Sequence, residues 1–397
     1  MKKVLIIGAG FLQDFVIRKA VSMGYQTYAV DANPDAIGFS HATKYAVVNI
    51  VDEKACLEYA KREKIDGVLT AATDYGVLSA SYVAREMGLP GLKYEVAQLI
   101  KNKYKVRKCL YEHNVDDTAQ AFEISSSSEI EYLSSIITFP VMVKPCDGSG
   151  SRGASRANCP EELIQACIIA MNSSITHRAE IESFVFGQEY GAESIVVDGS
   201  IHVLSILKKW MTNPPYYAEL GHAIPCGLPV EMEQKAKDCV FNAIKALGIN
   251  FGSVNMDMLI TPEGKVHIID VGARMGGNMI GPCLIPYGTG IDYVGAMIQN
   301  AVGDPVDLSV HDHGAVATKL LAFEEGVVKK LPDIRAIEEL YGVEIYHHMT
   351  DGMTVHEYHT NLDGCGYIVA RAPSVEIAED NANKALYKIK CEILKRK

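Results

Sequence analysis

A chain of 397 residues is long enough for two or three domains with ample core, and 48% hydrophobic against 22% charged residues excludes a disordered protein. A net charge of −11 argues against an extended nucleic-acid footprint, which needs a basic face, yet leaves room for a few local cations around an anionic ligand. Ten cysteines without any CxxC pair point to reduced thiols in a cytoplasm, not to a disulfide framework or a zinc site.

Met1-Lys2-Lys3 runs directly into a strand pattern, and Leu5-Ile6-Ile7 is too short for a signal peptide or a membrane span, so no membrane role is expected. The buried-strand run over residues 2–7 is followed by Gly8-Ala9-Gly10-Phe11-Leu12-Gln13, which opens a helical pattern through Met23. A strand from Gln26 to Val30 then ends on Asp31. A GxG turn with an acid after the second strand outlines a dinucleotide fold. Gln13 replaces the third glycine, which favours a doubly wound domain using the same turn over one that binds a nucleotide there. The α/β weave continues to Gly91.

Lys101 to Lys108 is a basic helical run, read for most of its lysines as a solvated face. Ser128 and Glu131 predict a capping box for the next helix. Phe139 to Pro145 gives a strand in which Lys144 sits among apolar neighbours, leading into the glycine-serine loop Asp147 to Gly153. Such a loop closes over phosphates with unhindered backbone N–H groups, although no GK[ST] is present to make it a Walker A loop. One acid-bounded strand is expected over Glu180 to Tyr190, antiparallel strands over 191–197 and 202–208, an irregular loop over Pro214 to His222, and a helix over Val230 to Leu247.

The chain is organised around Gly252 to Asn278. Two apolar runs flank Thr261-Pro262-Glu263-Gly264, which is hairpin chemistry, and each run carries one acid, Asp257 or Asp270. A carboxylate facing a core needs a cation or a partner. Two of them on neighbouring strands, followed by Arg274 in a glycine-rich segment, suggest a divalent metal beside a phosphate or carboxylate. On these residues alone that reading and a hairpin with solvated acids stand level. The pairs His311/His313, His347/His348 and His356/His359 are read as ordinary strand and loop histidines.

The order basic helix, strand lysine, glycine-serine loop, acid-bounded strand and two-acid hairpin resembles the ATP-grasp superfamily over essentially the whole chain. The segment GARMGGN looks most like amino-acid and dipeptide ligases and phosphoribosylglycinamide-synthetase-like proteins, with a carbamoyl-phosphate-synthase large chain as a further relative. The resemblance implies an α/β and α+β architecture, an ATP-grasp fold with a Rossmann-like N-terminal domain and a small C-terminal subdomain. Its expected divisions are a Rossmann-like domain over 1–95, a small lobe with its linking helix over 96–185, a central lobe carrying the Mg-ATP site over 186–310, and a C-terminal α/β subdomain over 311–397. It further implies ATP and Mg2+ as cofactors. Lys103 and Lys144 would hold phosphates, with Ser149, Gly150 and Ser151 covering them. Glu182, Phe184 and Val185 would meet adenine, and Glu189 the ribose. Asp257 and Asp270 would bind magnesium, and Arg274, with Lys144 the expected catalytic group, would steady an acyl phosphate. The family usually has glutamate at the position of Asp270 and asparagine at that of Gly272, so Asn278 or a water is expected to complete the metal shell.

The implied reaction transfers the γ-phosphoryl group of ATP to a small-molecule carboxylate. An amine then displaces phosphate to leave an amide, so the protein's task is alignment and charge neutralisation. Gly10, Asp74, Glu219 and His222 are the substrate candidates. Four readings compete: this ligase, a phosphoribosylglycinamide-synthetase-like or bicarbonate-activating relative, a nicotinamide oxidoreductase on the GAG turn, and a non-catalytic nucleotide binder supported only by Gly272. Expected partners are small molecules, and symmetry priors favour a homodimer.

Overall fold

The computed structural model describes residues 1–397 except 119, 149, 151, 215, 392, 396 and 397. Its N-terminal sheet is parallel, with spatial order Lys44–Val47, Gln26–Asp31, Lys3–Ile7 and Gly67–Thr70. The strand Lys3–Ile7 is apolar on both faces because both are covered. Val4 and Ile6 join one core cluster, Leu5 and Ile7 another. The glycine turn after it is self-contained. Asp31 accepts a 2.8 Å hydrogen bond from the Ala9 amide, and the buried Gln13 donates to the Ala71 carbonyl. The Gln13 chain crosses the turn so closely that a Cβ at Gly8 would lie 3.3 Å from its Cγ. The space a pyrophosphate would need is filled by glutamine, which removes the phosphate seat that the nicotinamide reading requires.

A second, antiparallel sheet has the order Ala121–Ile124, Ala179–Ser183, Val141–Pro145, Ser155–Ala157. Alternation divides its faces: Val141, Val143 and Ile181 pack under the helices Ser127–Ser134 and Pro160–Ser173, while Lys144, Glu180 and Glu182 share the opposite side. The first of these helices starts before the expected capping box. Ser126 is its N-cap, and Glu129 accepts from the Ser126 hydroxyl and the Ser125 amide, each at 2.8 Å, because the serine run offers two earlier caps.

The strand expected over Glu180 to Tyr190 is two strands in different sheets, Ala179–Ser183 and Gln188–Val197, broken at 184–187. The second belongs to an eight-stranded antiparallel sheet ordered Val266–Gly272, Gly252–Ile260, Gln188–Val197, Ser200–Met211, Glu219–Ile224, Ala315–Leu320, Gly366–Ala372, Val343–His347. Residues beyond 310 thus extend the sheet that carries the hairpin. Helix Val230–Ala246 packs below the hairpin half, and helix Val375–Lys390 covers the far half. No helix among the described residues is long and apolar enough to cross a membrane.

Candidate active site

On Gly252–Ile260, Val254, Met256 and Met258 face the core, which turns Asn255 and Asp257 the other way. Asp257 lies directly opposite Asp270, and Asn255 opposite Gly272 on one side and Glu193 on the other. This polar face forms the floor of a cavity of about 350 Å3 whose roof is the polar face of the smaller sheet. Lys103, Lys144, Glu182, Glu189, Asp257 and Asp270 all line it, as do Gly150, Phe184 and Val185 from the connections. Ser149 and Ser151 lie outside the described residues. Arg156 stands 4.6 Å over the Phe184 ring at one wall.

The basic run divides as the geometry demands. Lys105 and Lys108 are exposed, whereas Lys103 turns inward and pairs with Asp270. Lys144 pairs with Glu182 and donates to the Ile269 carbonyl at 3.2 Å, while Arg107 bridges Glu182 and Asp116, each at 2.8 Å. The innermost charge is Lys209, fully buried, with its ammonium 2.7 Å from Glu189, 2.7 Å from Glu219 and 2.8 Å from Asp257. Three carboxylates against one ammonium leave an excess of two negative charges, a site that calls for further cations.

Beyond Asp257 the sheet face continues into a second polar cluster. Arg274 grips Asp74 in a bidentate pair at 2.8 and 3.1 Å and reaches Asn255 at 3.1 Å. Glu219 accepts from Asn278 and, at 2.8 Å, from Asn361, while His222 stands 3.7 Å from it. Asn278 is therefore engaged with Glu219, not with Asp257 or Asp270. Its NH2 group donates to Glu219, which ties the carboxamide to the acceptor side of the face and away from the two aspartates. Gly10 caps the helix Phe11–Ser22 and does not line the cavity, although its neighbour Phe11 stacks on Tyr367 at 6.2 Å.

Burial and charge pull the acids apart. Burial is the largest influence on Asp270 and acts upward, but Lys103, Lys144 and Arg274 together hold its carboxyl below the usual range. Asp257 goes the other way, raised by burial despite Lys209, and Glu189 does likewise. Glu180 is pushed up to about 7 by burial and then by Glu182, and its Oε1 has no hydrogen-bond partner. Between the ordinary glutamate value and about 7 the folded state therefore holds the proton that the unfolded chain has lost, so this group's contribution to stability falls as pH rises. A Glu180→Gln variant should be more stable than wild type at pH 8, by on the order of 2 kcal/mol, with the advantage vanishing toward pH 4.5. Urea unfolding at the two pH values measures it, and a gain independent of pH would contradict this origin.

Two family models match the chain: an ATP-grasp domain over residues 137–282 and the L-amino acid ligase C-terminal domain 2 over residues 319–393. The chain thus carries an ATP-grasp domain followed by an L-amino acid ligase C-terminal domain, and ATP-dependent carbon–nitrogen bond formation is consistent with both. The protein y4rH of Sinorhizobium fredii is 27% identical over 84% of this chain and 70% of its own length. Human carnosine synthase 1 is 21% identical over 76% of this chain but only 40% of its own length, so the chain spans less than half of that relative. An L-amino acid ligase from Bacillus licheniformis superposes with a TM-score of 0.85, at 21% identity, covering 100% of this chain and 99% of its own.

ATP and Mg2+ are the usual cofactors of ATP-grasp ligases, and the cavity fits both. Asp257 and Asp270 offer hard oxygen ligands on adjacent strands, and Lys103 and Lys144 stand beside them. A Cβ at Gly272 would lie 2.9 Å from Arg274 Cζ and 3.0 Å from Asp74 Oδ1, so a larger residue there would push the ends of that ion pair aside. The position is given up to the ion pair. Among the described residues the one cluster of metal-ligating type is Asp116, Asp117 and His267, and Arg107 and Lys265 already pair with its acids. The sequence reading passed over Lys209, Asn255, Glu193 and Asn361. Lys209 had only a masked signal: it sits in an apolar strand like Lys144, but it follows Lys208 directly.

Proposed function

We propose that this ATP-grasp ligase activates a small-molecule carboxylate as an acyl phosphate and joins it to an amine, with amino acids as the class of both substrates. The observation that carries this is the shared face on which Asp257 and Asp270 stand opposite each other beside Lys103 and Lys144, with the Arg274 charge near enough to act on Asp270. In this reading Lys103, Lys144 and the loop through Gly150 hold the triphosphate, while Glu182, Phe184 and Val185 meet the base and Glu189 the ribose. Asp257 and Asp270 would hold magnesium, whose positive charge would offset the charge that develops on the phosphates. Arg274, freed from Asp74 or sharing it, faces the transferred phosphoryl group as a fixed positive charge.

The acceptor side favours an amine over a sugar phosphate. Glu219, held by the Asn278 and Asn361 amides and backed by Tyr358 and Tyr367, belongs with Glu189 and Asp257 to a cluster in which three carboxylates outnumber the one Lys209 ammonium. An ammonium gains from that surface and a phosphate would be repelled by it. We place the protein in the cytoplasm, where ATP and reduced thiols coexist, and take a homodimer as its assembly.

The test is phosphate release from Mg-ATP in the presence of amino acids, singly and in pairs. Turnover that requires both a carboxylate and an amine supports the reading. Turnover with bicarbonate or with a phosphoribosylamine alone assigns the enzyme to those branches instead, and nucleotide binding without turnover under any condition overturns it.

A further inference from the structure

Glu193 has no contact with the nucleotide cavity, yet it is a fully buried carboxylate at the centre of the sheet. An acid in that place is costly unless each oxygen is engaged. Its Oε1 accepts from the Gly276 amide at 3.0 Å and lies 2.7 Å from the Tyr293 hydroxyl, while its Oε2 accepts from Asn255 Nδ2 at 3.0 Å. Asn255 Oδ1 in turn accepts from the Arg274 guanidinium at 3.1 Å.

The direction of this chain is fixed by chemistry. A guanidinium only donates, so the Asn255 oxygen must face Arg274 and its NH2 group must face position 193. Position 193 must therefore accept from Asn255 and, at its other oxygen, from a backbone amide. Only a carboxylate does both without a conflict. The segment leaves no slack either, because a Cβ at Gly276 would lie 2.9 Å from both Asn255 Nδ2 and Glu193 Oε2.

We propose that Glu193 is a positioning residue for the ligase reaction: through Gly276 and Asn255 it fixes the glycine-rich segment and aims Arg274 at the reacting group. This rests on the reading of Arg274 given above. A glutamine at 193 presents either its NH2 to Asn255 or its NH2 to the Gly276 amide. In the first case two donors meet, and relief by an Asn255 flip turns an amide NH2 toward the guanidinium. In the second the backbone turn is pushed away. An aspartate at 255 answers the first case: the glutamine NH2 donates to one of its oxygens, the other oxygen accepts from Arg274, and the number of buried charges is restored.

The experiment compares Glu193→Gln, Asn255→Asp and the double variant in phosphate release from Mg-ATP with the amino-acid panel, alongside Mg-ADP calorimetry and melting. Glu193→Gln should lower kcat on the order of 100-fold, the scale of an ångström-level misplacement of a catalytic group. KM for ATP and the affinity for Mg-ADP should change little. Asn255→Asp alone should also be impaired, since it sets two carboxylates side by side, and the double variant should recover most of the lost kcat. Wild-type turnover in Glu193→Gln overturns the proposal, and so does a double variant no better than either single one. If Glu193→Gln does not fold, the double variant must fold and turn over; failure there also overturns it. Arg274→Gln separates the two readings. If that variant keeps full turnover, the role of Arg274 falls; if it is inactive, the rescue experiment judges Glu193 alone.

Discussion

Replacing Lys209 by methionine is expected to destabilise the protein by about 3–5 kcal/mol at pH 8, the scale for removing one partner of a buried ionic cluster. Methionine matches the chain length and the apolar stem, so packing alone costs little. The loss comes from Glu189, Glu219 and Asp257, which would be left facing one another with no ammonium among them. Burial already raises Asp257 and Glu189 with the lysine present. Without it the acids retain protons in the folded state at pH values where the unfolded chain has released them, so the deficit should shrink as pH falls toward 5. Urea melts of both proteins at pH 5.5 and pH 8 measure this. A deficit under about 1 kcal/mol at pH 8, the range of an exposed pair, would mean that Lys209 does not neutralise the cluster.

Asp270→Asn should retain nucleotide binding and lose turnover by about 100-fold or more, the scale seen when one electrostatic group is removed from a catalytic site. Asparagine keeps an oxygen to accept from Lys103, so the floor of the cavity should hold its shape. What disappears is the negative charge, and a hard divalent cation at the phosphates depends on it. Calorimetry with ADP in excess chelator should show affinity equal to or above wild type, since Lys103 is released from its ion pair. With magnesium present the metal-dependent gain should be lost. Full turnover in this variant would move the metal site elsewhere.

What could be read from the sequence was whatever local pattern encodes. The hairpin was legible because Thr261-Pro262-Glu263-Gly264 punctuates two alternating runs, and alternation put Asp257 and Asp270 on one face. Lys144 was legible because a lysine amid apolar residues is expensive. Lys209 carries the same cost, but its neighbour Lys208 is partly exposed, and the pair reads as an ordinary strand rim. Asn361 and Tyr358 reach Glu219 from about 140 positions away, a juxtaposition that only the sheet order creates. The break at 184–187 was hidden because apolar Phe184, Val185 and Phe186 continue the strand pattern through a segment that changes sheets. Asn278 was expected to fill the place in the metal shell that the resemblance leaves open at Gly272. Its left-handed backbone at φ 50° sends the carboxamide to Glu219.

The eight-stranded sheet has a consequence for any attempt to divide this molecule. Ala315–Leu320 closes the open flank of Glu219–Ile224, the strand that bears both Glu219 and His222. A protein ending before it would bare a row of backbone donors and acceptors beside an apolar surface, the geometry through which chains stick edge to edge. It would also lose the tyrosine and asparagine that hold Glu219 in place. The terminal quarter is thus no detachable module but one wall of the acceptor chamber, and fragments should be soluble and competent only when it is retained.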